Sequence, residues 1–137
     1  MGDNLNISRE CIGNRFTRRV EELSGVKVDL CYQCGKCSAG CPIAEHMDLL
    51  PNEVIRYIQI GQEQPVLESR AIWLCSSCQT CMTRCPKGVD MVKVIEAVRT
   101  VLQRRGIDGI DIKKISRELW SRLPQQAVVA GFRKLTA

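Results

Sequence analysis

The sequence predicts an all-α fold made of two related halves. Apolar residues recur at helical spacing along most of the chain, strand-like alternation is confined to Val26–Leu30, and a cysteine-rich segment occurs twice. Five alternating residues that run into a cysteine-rich loop are more typical of an extended lead-in than of a sheet. With 137 residues, the chain has room for one compact domain with tails.

A first helix after the first cysteine-rich segment is predicted to begin at Pro51. Proline is favoured at the first helical position, and Val54, Ile55 and Ile58 then share one face. Gly61 provides a residue suited to the left-handed stop after the helix.

The clearest predicted helix follows the second cysteine-rich segment, with Asp90 as its N-cap. It ends before Gly106, and its apolar face holds Met91, Val94, Ile95, Val98, Val101 and Leu102. Two further helices are expected at the ends of the chain. One carries Phe16, Val20 and Leu23, and the other begins at Asp111, ends at Pro124 and turns Ile112, Ile115, Leu119, Trp120 and Leu123 inward.

These elements suggest three regions: an N-terminal helical segment over 1–30, a core over 31–106, and a C-terminal helix with a tail over 107–137. The tail contains an apolar stretch, residues 127–135, that follows a helix-stopping proline and is too short for a core of its own. Such a stretch often docks on a partner.

The cysteine-rich segment repeats with a constant shift of 44 residues. Cys31-Tyr-Gln-Cys34-Gly-Lys-Cys37-Ser-Ala-Gly-Cys41-Pro42 recurs as Cys75-Ser-Ser-Cys78-Gln-Thr-Cys81-Met-Thr-Arg-Cys85-Pro86. Leu30 matches Leu74 and Met47 matches Met91 at the same shift. The repeat predicts two pseudo-equivalent halves with a rough two-fold relation.

The spacing of these cysteines predicts two 4Fe–4S clusters. Three cysteines two residues apart wrap a loop around three iron corners, and the fourth, before proline, ligates the other cluster. We therefore expect a crossed arrangement of two ligand sets. Set one is Cys31, Cys34, Cys37 and Cys85, and set two is Cys75, Cys78, Cys81 and Cys41.

Zinc and disulfides are the alternatives. Zinc favours separated Cys-x2-Cys pairs or cysteine with histidine, and it leaves the third and fourth cysteines of each run without a role. An odd total of nine cysteines suits a disulfide framework badly. Electron transfer through iron–sulfur clusters thus fits the pattern best.

Four other residues near the motifs have two interpretations each. Cys11 is a small buried hydrophobe or idle thiol, or else a ligand or redox group. His46 is a surface or cap residue, or else it donates a hydrogen bond near a cluster or carries protons. Trp73 and Tyr32 are expected to cover the clusters rather than to carry electrons. Because the small residues of the first loop differ from those of the second, we expect the two clusters to have unequal potentials.

The charge pattern argues against nucleic acid as a partner. Residues 87–137 hold eleven basic and five acidic side chains, so the net charge of +5 comes from the part after the last cysteine. Eight thiolates around two oxidised cores add a charge of about −4, which leaves the holoprotein close to neutral.

The sequence shows no secretory leader, no myristoylation pattern and no apolar run long enough to span a membrane. We therefore expect a cytoplasmic protein.

With both motifs and the Leu50-Pro51-Asn52-Glu53 helix start in place, residues 15–105 resemble the C-type polypeptides of heterodisulfide reductase. The resemblance implies an α-helical ferredoxin with two 4Fe–4S clusters. It further implies a relay in which a flavin-bearing A-type subunit feeds this chain, which passes electrons to a B-type terminal reductase subunit.

The resemblance leaves other complexes open, including those of sulfur metabolism and of aromatic acyl-CoA reduction. A structural iron–sulfur scaffold and a nucleic-acid-binding module are further alternatives. Since the sequence has no dinucleotide motif and no nucleophile paired with a base, we expect no catalysis by this chain alone beyond one-electron transfer.

Overall fold

The computed structural model describes residues 12–133, and within that range it contains helices and turns but no strand. The all-α prediction is confirmed. The helices are α1 (Arg15–Ser24), α2 (Lys36–Ala39), α3 (Pro51–Gln59), α4 (Glu63–Glu68), α5 (Ala71–Leu74), α6 (Thr80–Thr83), α7 (Met91–Arg104), α8 (Arg117–Arg122) and α9 (Gln125–Arg133).

Helix α1 has a defined cap at each end. The Asn14 side chain accepts a hydrogen bond from the Thr17 backbone N–H at 2.9 Å, which satisfies one of the free donors of the first turn. Gly25 closes the helix in the left-handed conformation, with φ of 67°. The Thr17 hydroxyl also donates to the Ile58 carbonyl at 2.7 Å, so α1 is tied to α3 through a buried hydrogen bond.

The two helices predicted after the cysteine loops are present. Pro51 is the first residue of α3, and the side chain of Glu53 reaches back to the Leu50 N–H at 2.8 Å. Asp90 caps α7 by accepting from the Lys93 N–H at 3.2 Å. Because each cap fixes where its helix starts, each also fixes which residues of that helix face the core.

One aliphatic core joins α1, α3, α4, α5 and α7. Helix α1 packs against α7, which places the N-terminal helix in the same core as the segments around the cysteines. The largest fully buried side chains are Ile55, Ile58, Ile72, Ile95, Leu102, Val20, Val28, Val54, Val66, Val94 and Val98. Among the described residues, every buried side-chain nitrogen or oxygen has a hydrogen-bond partner.

Contacts divide the chain into two compact units. The first extends to Gly106 and includes α1 together with both cysteine loops, so residues before Cys31 pack with those that follow it. The second begins at Ile107.

The second unit differs locally from the sequence prediction. Asp111 caps only a 3-10 turn, Ile112–Lys114, while Ser116 caps α8 by accepting from the Leu119 N–H at 3.3 Å. Pro124 separates α8 from α9. The rings of Trp120 and Phe132 meet edge to face, with centroids 5.6 Å apart.

The lead-in to the first cysteine loop is a 3-10 turn, Val28–Leu30, rather than an extended segment. Val28 is fully buried in this turn, whereas Leu30 is exposed. Of the helices in the described range, none combines the length and the hydrophobicity needed to cross a membrane.

Candidate iron–sulfur site

The two cysteine loops share one backbone conformation. Gln33 and Gly35 flank Cys34 with φ of 62° and 75°, and Ser77 and Gln79 flank Cys78 with φ of 54° and 63°. Left-handed residues therefore occupy the same positions of both loops, 44 residues apart. Only one of these four is glycine, and the other three adopt a conformation that costs energy for residues with a side chain.

Each loop then enters a single helical turn that carries its third cysteine. Cys37 lies in α2 and Cys81 lies in α6, and the limits of the two turns again differ by 44 residues. The turns pack against each other, which brings the two loops side by side. The repeat predicted from the sequence is therefore a repeat of local structure as well.

Cys41, the last cysteine of the first loop, lies with the three leading cysteines of the second loop. A cleft is lined by Cys41, Cys75, Cys78 and Cys81. Most of its other walls are apolar and come from Ile43, Met47, Pro51, Met91, Val92 and Ile95. The four cysteines of set two thus line one cleft whose other walls are mostly apolar.

Cys85, the last cysteine of the second loop, lies near the first loop. The pKa of Tyr32 is raised by a hydrogen bond with Cys34, and also by the negative charge of Cys34, Cys85 and Cys31. Burial raises the pKa of the Cys37 thiol, and the charge of Cys31 adds to that effect. Cys31, Cys34 and Cys85 therefore lie near enough to Tyr32 for their charges to act on it, and Cys31 lies near enough to Cys37 to do the same.

The loops also share an electrostatic pattern. The backbone N–H of Lys36 lowers the pKa of Cys34, and the hydroxyl and backbone N–H of Thr80 lower that of Cys78. By contrast, burial raises the pKa of Cys81 to about 11. N–H groups aimed at the middle sulfur of each loop stabilise a thiolate, which is the form that ligates iron.

The donor sets fit iron–sulfur cubes. All eight motif cysteines are free thiols, which contradicts the disulfide alternative. Cysteine sulfur is the ligand that 4Fe–4S clusters use, and apolar walls keep water away from such a group. In residues 12–133, no three side chains of His, Cys, Asp or Glu converge on a point suited to one metal ion.

Two side chains that the sequence analysis missed hold the loops in place. Gln59 Nε2 donates to the carbonyls of Val28 and Cys31, both at 2.8 Å. Arg99 makes the corresponding pair in the second half, from Nε to the Ile72 carbonyl at 2.7 Å and from Nη2 to the Cys75 carbonyl at 2.6 Å.

A signal for both residues was present in the sequence. Gln59 and Arg99 each lie four residues after a buried isoleucine, Ile55 or Ile95, and so on the same helix face. A polar residue on the core-facing side of a helix needs a hydrogen-bond partner, because a buried polar group without one destabilises the fold.

Asp48 is a third residue that the sequence analysis missed. Its carboxylate accepts from the Ser69 hydroxyl at 2.8 Å and from the backbone N–H groups of Arg70 and Ala71 at 2.8 and 2.9 Å. Burial alone would raise its pKa, but these three hydrogen bonds outweigh burial and lower the pKa to about 2. Asp48 thereby holds the start of α5, the helical turn that leads into Cys75.

The remaining candidates from the sequence are not gathered at one point. Cys11 lies outside the described residues. His46 is exposed at the end of the turn Ala44–His46, Trp73 is half-buried against the core, and the Tyr32 side chain beside Cys34 is 57% exposed.

Comparison with known protein families assigns the cysteine region. Residues 27–89 match the family described as 4Fe–4S dicluster domain. This range contains both loops and all eight motif cysteines. The prediction of two 4Fe–4S clusters is thereby confirmed.

Several curated proteins are similar to this chain, and three of them are each named as the C-type polypeptide of a heterodisulfide reductase. The iron–sulfur polypeptide of this type from the CoB–CoM heterodisulfide reductase of Methanopyrus kandleri is 35% identical over 86 residues, which cover 63% of this chain and 45% of that protein. Its counterpart in the ferredoxin:CoB–CoM heterodisulfide reductase of Methanosarcina mazei is 31% identical over 98 residues, covering 72% and 60%.

The third relative belongs to the H2:CoB–CoM heterodisulfide,ferredoxin reductase of Methanothermobacter thermautotrophicus. It is 27% identical over 95 residues, which cover 69% of this chain and 51% of that protein. The chain spans about half the length of these relatives. The resemblance to the C-type polypeptides of heterodisulfide reductase is confirmed.

Proposed function

We propose that the chain, whose residues 27–89 match the 4Fe–4S dicluster domain family, is an electron-transfer subunit of a heterodisulfide reductase-like complex. Each cluster would accept and release one electron, which is the chemistry that such a group supplies. The chain's own part is to bind both clusters, to shield them from water and to hold them close to each other.

The proposed ligands are the two crossed sets. Cys31, Cys34, Cys37 and Cys85 would hold the loop-one cluster, and Cys75, Cys78, Cys81 and Cys41 would hold the loop-two cluster. The single observation that carries the proposal is the cleft in which Cys41 lies with the first three cysteines of the other loop. The proximity of Cys85 to Cys34 around Tyr32 supports the reciprocal set.

The relatives' names describe components of heterodisulfide reductases, which supports membership of a multi-subunit complex. We propose a multi-subunit complex in the cytoplasm, in which a flavin-bearing A-type subunit reduces this chain and a B-type terminal reductase subunit oxidises it. The C-terminal unit, residues 107–137, is proposed to contact a partner, because its apolar stretch at residues 127–135 is too short for a core of its own.

The experiment is purification of the tagged chain from its native source without oxygen, followed by iron and sulfide assays and identification of copurified proteins. We expect about eight iron and eight acid-labile sulfide per chain, together with a flavoprotein that reduces the clusters rapidly. Zinc in place of iron, or only four iron, would contradict the cluster assignment. Eight iron that no copurified flavoprotein reduces would contradict the relay and leave a structural scaffold.

A further inference from the structure

The clamps on the two loops are equivalent in position but differ in charge. Val28 and Cys31 correspond to Ile72 and Cys75 at the 44-residue shift, so the same two carbonyls are bound in each half. The clamping side chain is in each case the ninth residue of its helix, α3 or α7. It is a neutral amide at loop one, from Gln59, and a guanidinium cation at loop two, from Arg99.

The Arg99 charge is held close to its loop and largely away from water. Its side chain is 17% exposed, and two of its nitrogens donate to carbonyls of the segment that leads into the loop, one of them that of Cys75. A charge in such a setting is screened much less than one in bulk water. Its electrostatic effect therefore reaches the sulfur ligands next to it.

One carboxylate opposes this effect. Glu96 lies 2.6 Å from Arg99 Nη1 and accepts from the Ser77 hydroxyl at 3.1 Å. The Glu96 side chain is 52% exposed, whereas that of Arg99 is mostly buried, so water screens the negative charge more than the positive one. The pair leaves a net positive influence on loop two.

Reduction adds one negative charge to a cluster, and a nearby cation stabilises the reduced form. We propose that the Arg99 charge raises the potential of the loop-two cluster above the value that a neutral clamp would give it. This inference rests on the proposed function, because it needs clusters at both loops.

The experiment is a redox titration of the full-length holoprotein, kept without oxygen and followed by electron paramagnetic resonance and visible absorption. Arg99→Gln gives loop two the clamp of loop one. We expect the reduction step of the loop-two cluster to become about tenfold less favourable, which for one electron is 59 mV. Gln59→Arg should shift the step of the loop-one cluster in the opposite direction by a similar factor.

Three further variants separate charge from shape. Arg99→Lys keeps the charge without the fork and should retain most of the wild-type potential. Glu96→Gln should raise the potential of the loop-two cluster. Arg104→Gln removes the same charge from an exposed position of the same helix, α7, and should leave both steps unchanged.

The outcomes distinguish the inference from the function on which it rests. Full iron with unshifted steps in Arg99→Gln, or equal shifts in Arg99→Gln and Arg104→Gln, would overturn the role of Arg99 and leave the relay intact. If Arg99→Gln does not fold, the other two variants decide. The role of Arg99 would be overturned by unchanged potentials in Glu96→Gln, or by a tenfold less favourable reduction step in Arg99→Lys, which keeps the charge. Wild-type protein without two clusters would overturn the proposed function itself.

Discussion

The side chain of Arg84 lies over Gly40, the residue 44 positions before it. A Cβ atom on Gly40 would stand 2.5 Å from Cδ and from Nε of Arg84. The φ of Gly40 is −102°, a value open to any residue, so the contact rather than the backbone requires glycine here. A residue that meets its own repeat mate lies close to the local two-fold axis, and Gly40 and Arg84 mark that axis between α2 and α6.

Replacing Gly40 by alanine should therefore displace Arg84. The obstructing atoms belong to an exposed, flexible side chain, so we expect a loss of about 1 kcal/mol in the free energy of unfolding, at the low end of overpacking costs. Denaturant unfolding of the anaerobic holoprotein measures it. In an Arg84→Ala background the same substitution should cost almost nothing, and an equal loss in both backgrounds would contradict the contact.

Gln79→Gly should stabilise the holoprotein by about 1 kcal/mol. Gln79 has φ of 63° where the first loop has Gly35, and the left-handed conformation costs a residue with a side chain roughly 1–2 kcal/mol. Gly35→Ala should destabilise by a similar amount. Gln103→Gly is the matched control: its position is exposed in α7, so the same exchange should destabilise by about 1 kcal/mol. Stability changes of the same sign in Gln79→Gly and Gln103→Gly would refute this explanation.

Pairs of cysteine substitutions test the crossed ligand sets through iron content alone. If Cys41 and Cys78 serve one cluster, the double Cys→Ala variant keeps the other cluster and holds about four iron. Cys41 combined with Cys34 removes a ligand from each cluster, and that variant should hold little iron. Cys34 and Cys78 suit this test because both are exposed and equivalent in the two loops. Four iron in the Cys41–Cys34 pair would assign each fourth cysteine to its own loop.

Asp48→Asn should weaken the protein in a way that depends on pH. The pKa of Asp48 is lowered to about 2, below its ordinary value near 4. The stabilisation it gives is therefore complete above about pH 4 and disappears as the pH falls through 2.

After rapid acidification, the rate of loss of cluster absorbance should be faster in Asp48→Asn than in wild type at pH 5, and most of this difference should be lost at pH 2. Glu45→Gln is the control, because Glu45 is an exposed carboxylate that, like Asp48, lies a few residues before α3 in the sequence. A rate difference in Asp48→Asn that persists unchanged at pH 2 would contradict the role of the ionised carboxylate.

A chain that stops after Gly106 should still bind both clusters. The first compact unit contains the aliphatic core and all eight motif cysteines. We expect about eight iron per truncated chain, with weaker retention of partner subunits. Loss of iron on truncation would show that residues 107–137 support the cluster region.

The sequence predicted those parts of the fold that depend on local chemistry. Pro51 and Asp90 identified two helix starts, because a fixed φ and a carboxylate cap act on their own turn. The cysteine spacing identified the cofactor for the same reason.

Contacts between segments that are distant in the sequence were harder to predict. Asp48 acts on residues that are 21 to 23 positions away, and nothing near it in the sequence signals that interaction. Asp111 was assigned to a helix because aspartate caps α-helices and 3-10 turns alike, whereas Ser116 is the residue that starts α8. The turns α2 and α6 escaped prediction because four residues are too few to show a period.

The cleft that joins Cys41 to Cys75, Cys78 and Cys81 has a consequence for biogenesis. Under the proposed crossed assignment, neither half of the repeat matures by itself, because each half draws one sulfur ligand from the other, and synthesis must pass Cys85 before the loop-one ligand set is complete. On that assignment, cluster insertion follows translation of the whole dicluster region, because the first loop lacks its fourth ligand until Cys85 has been synthesised.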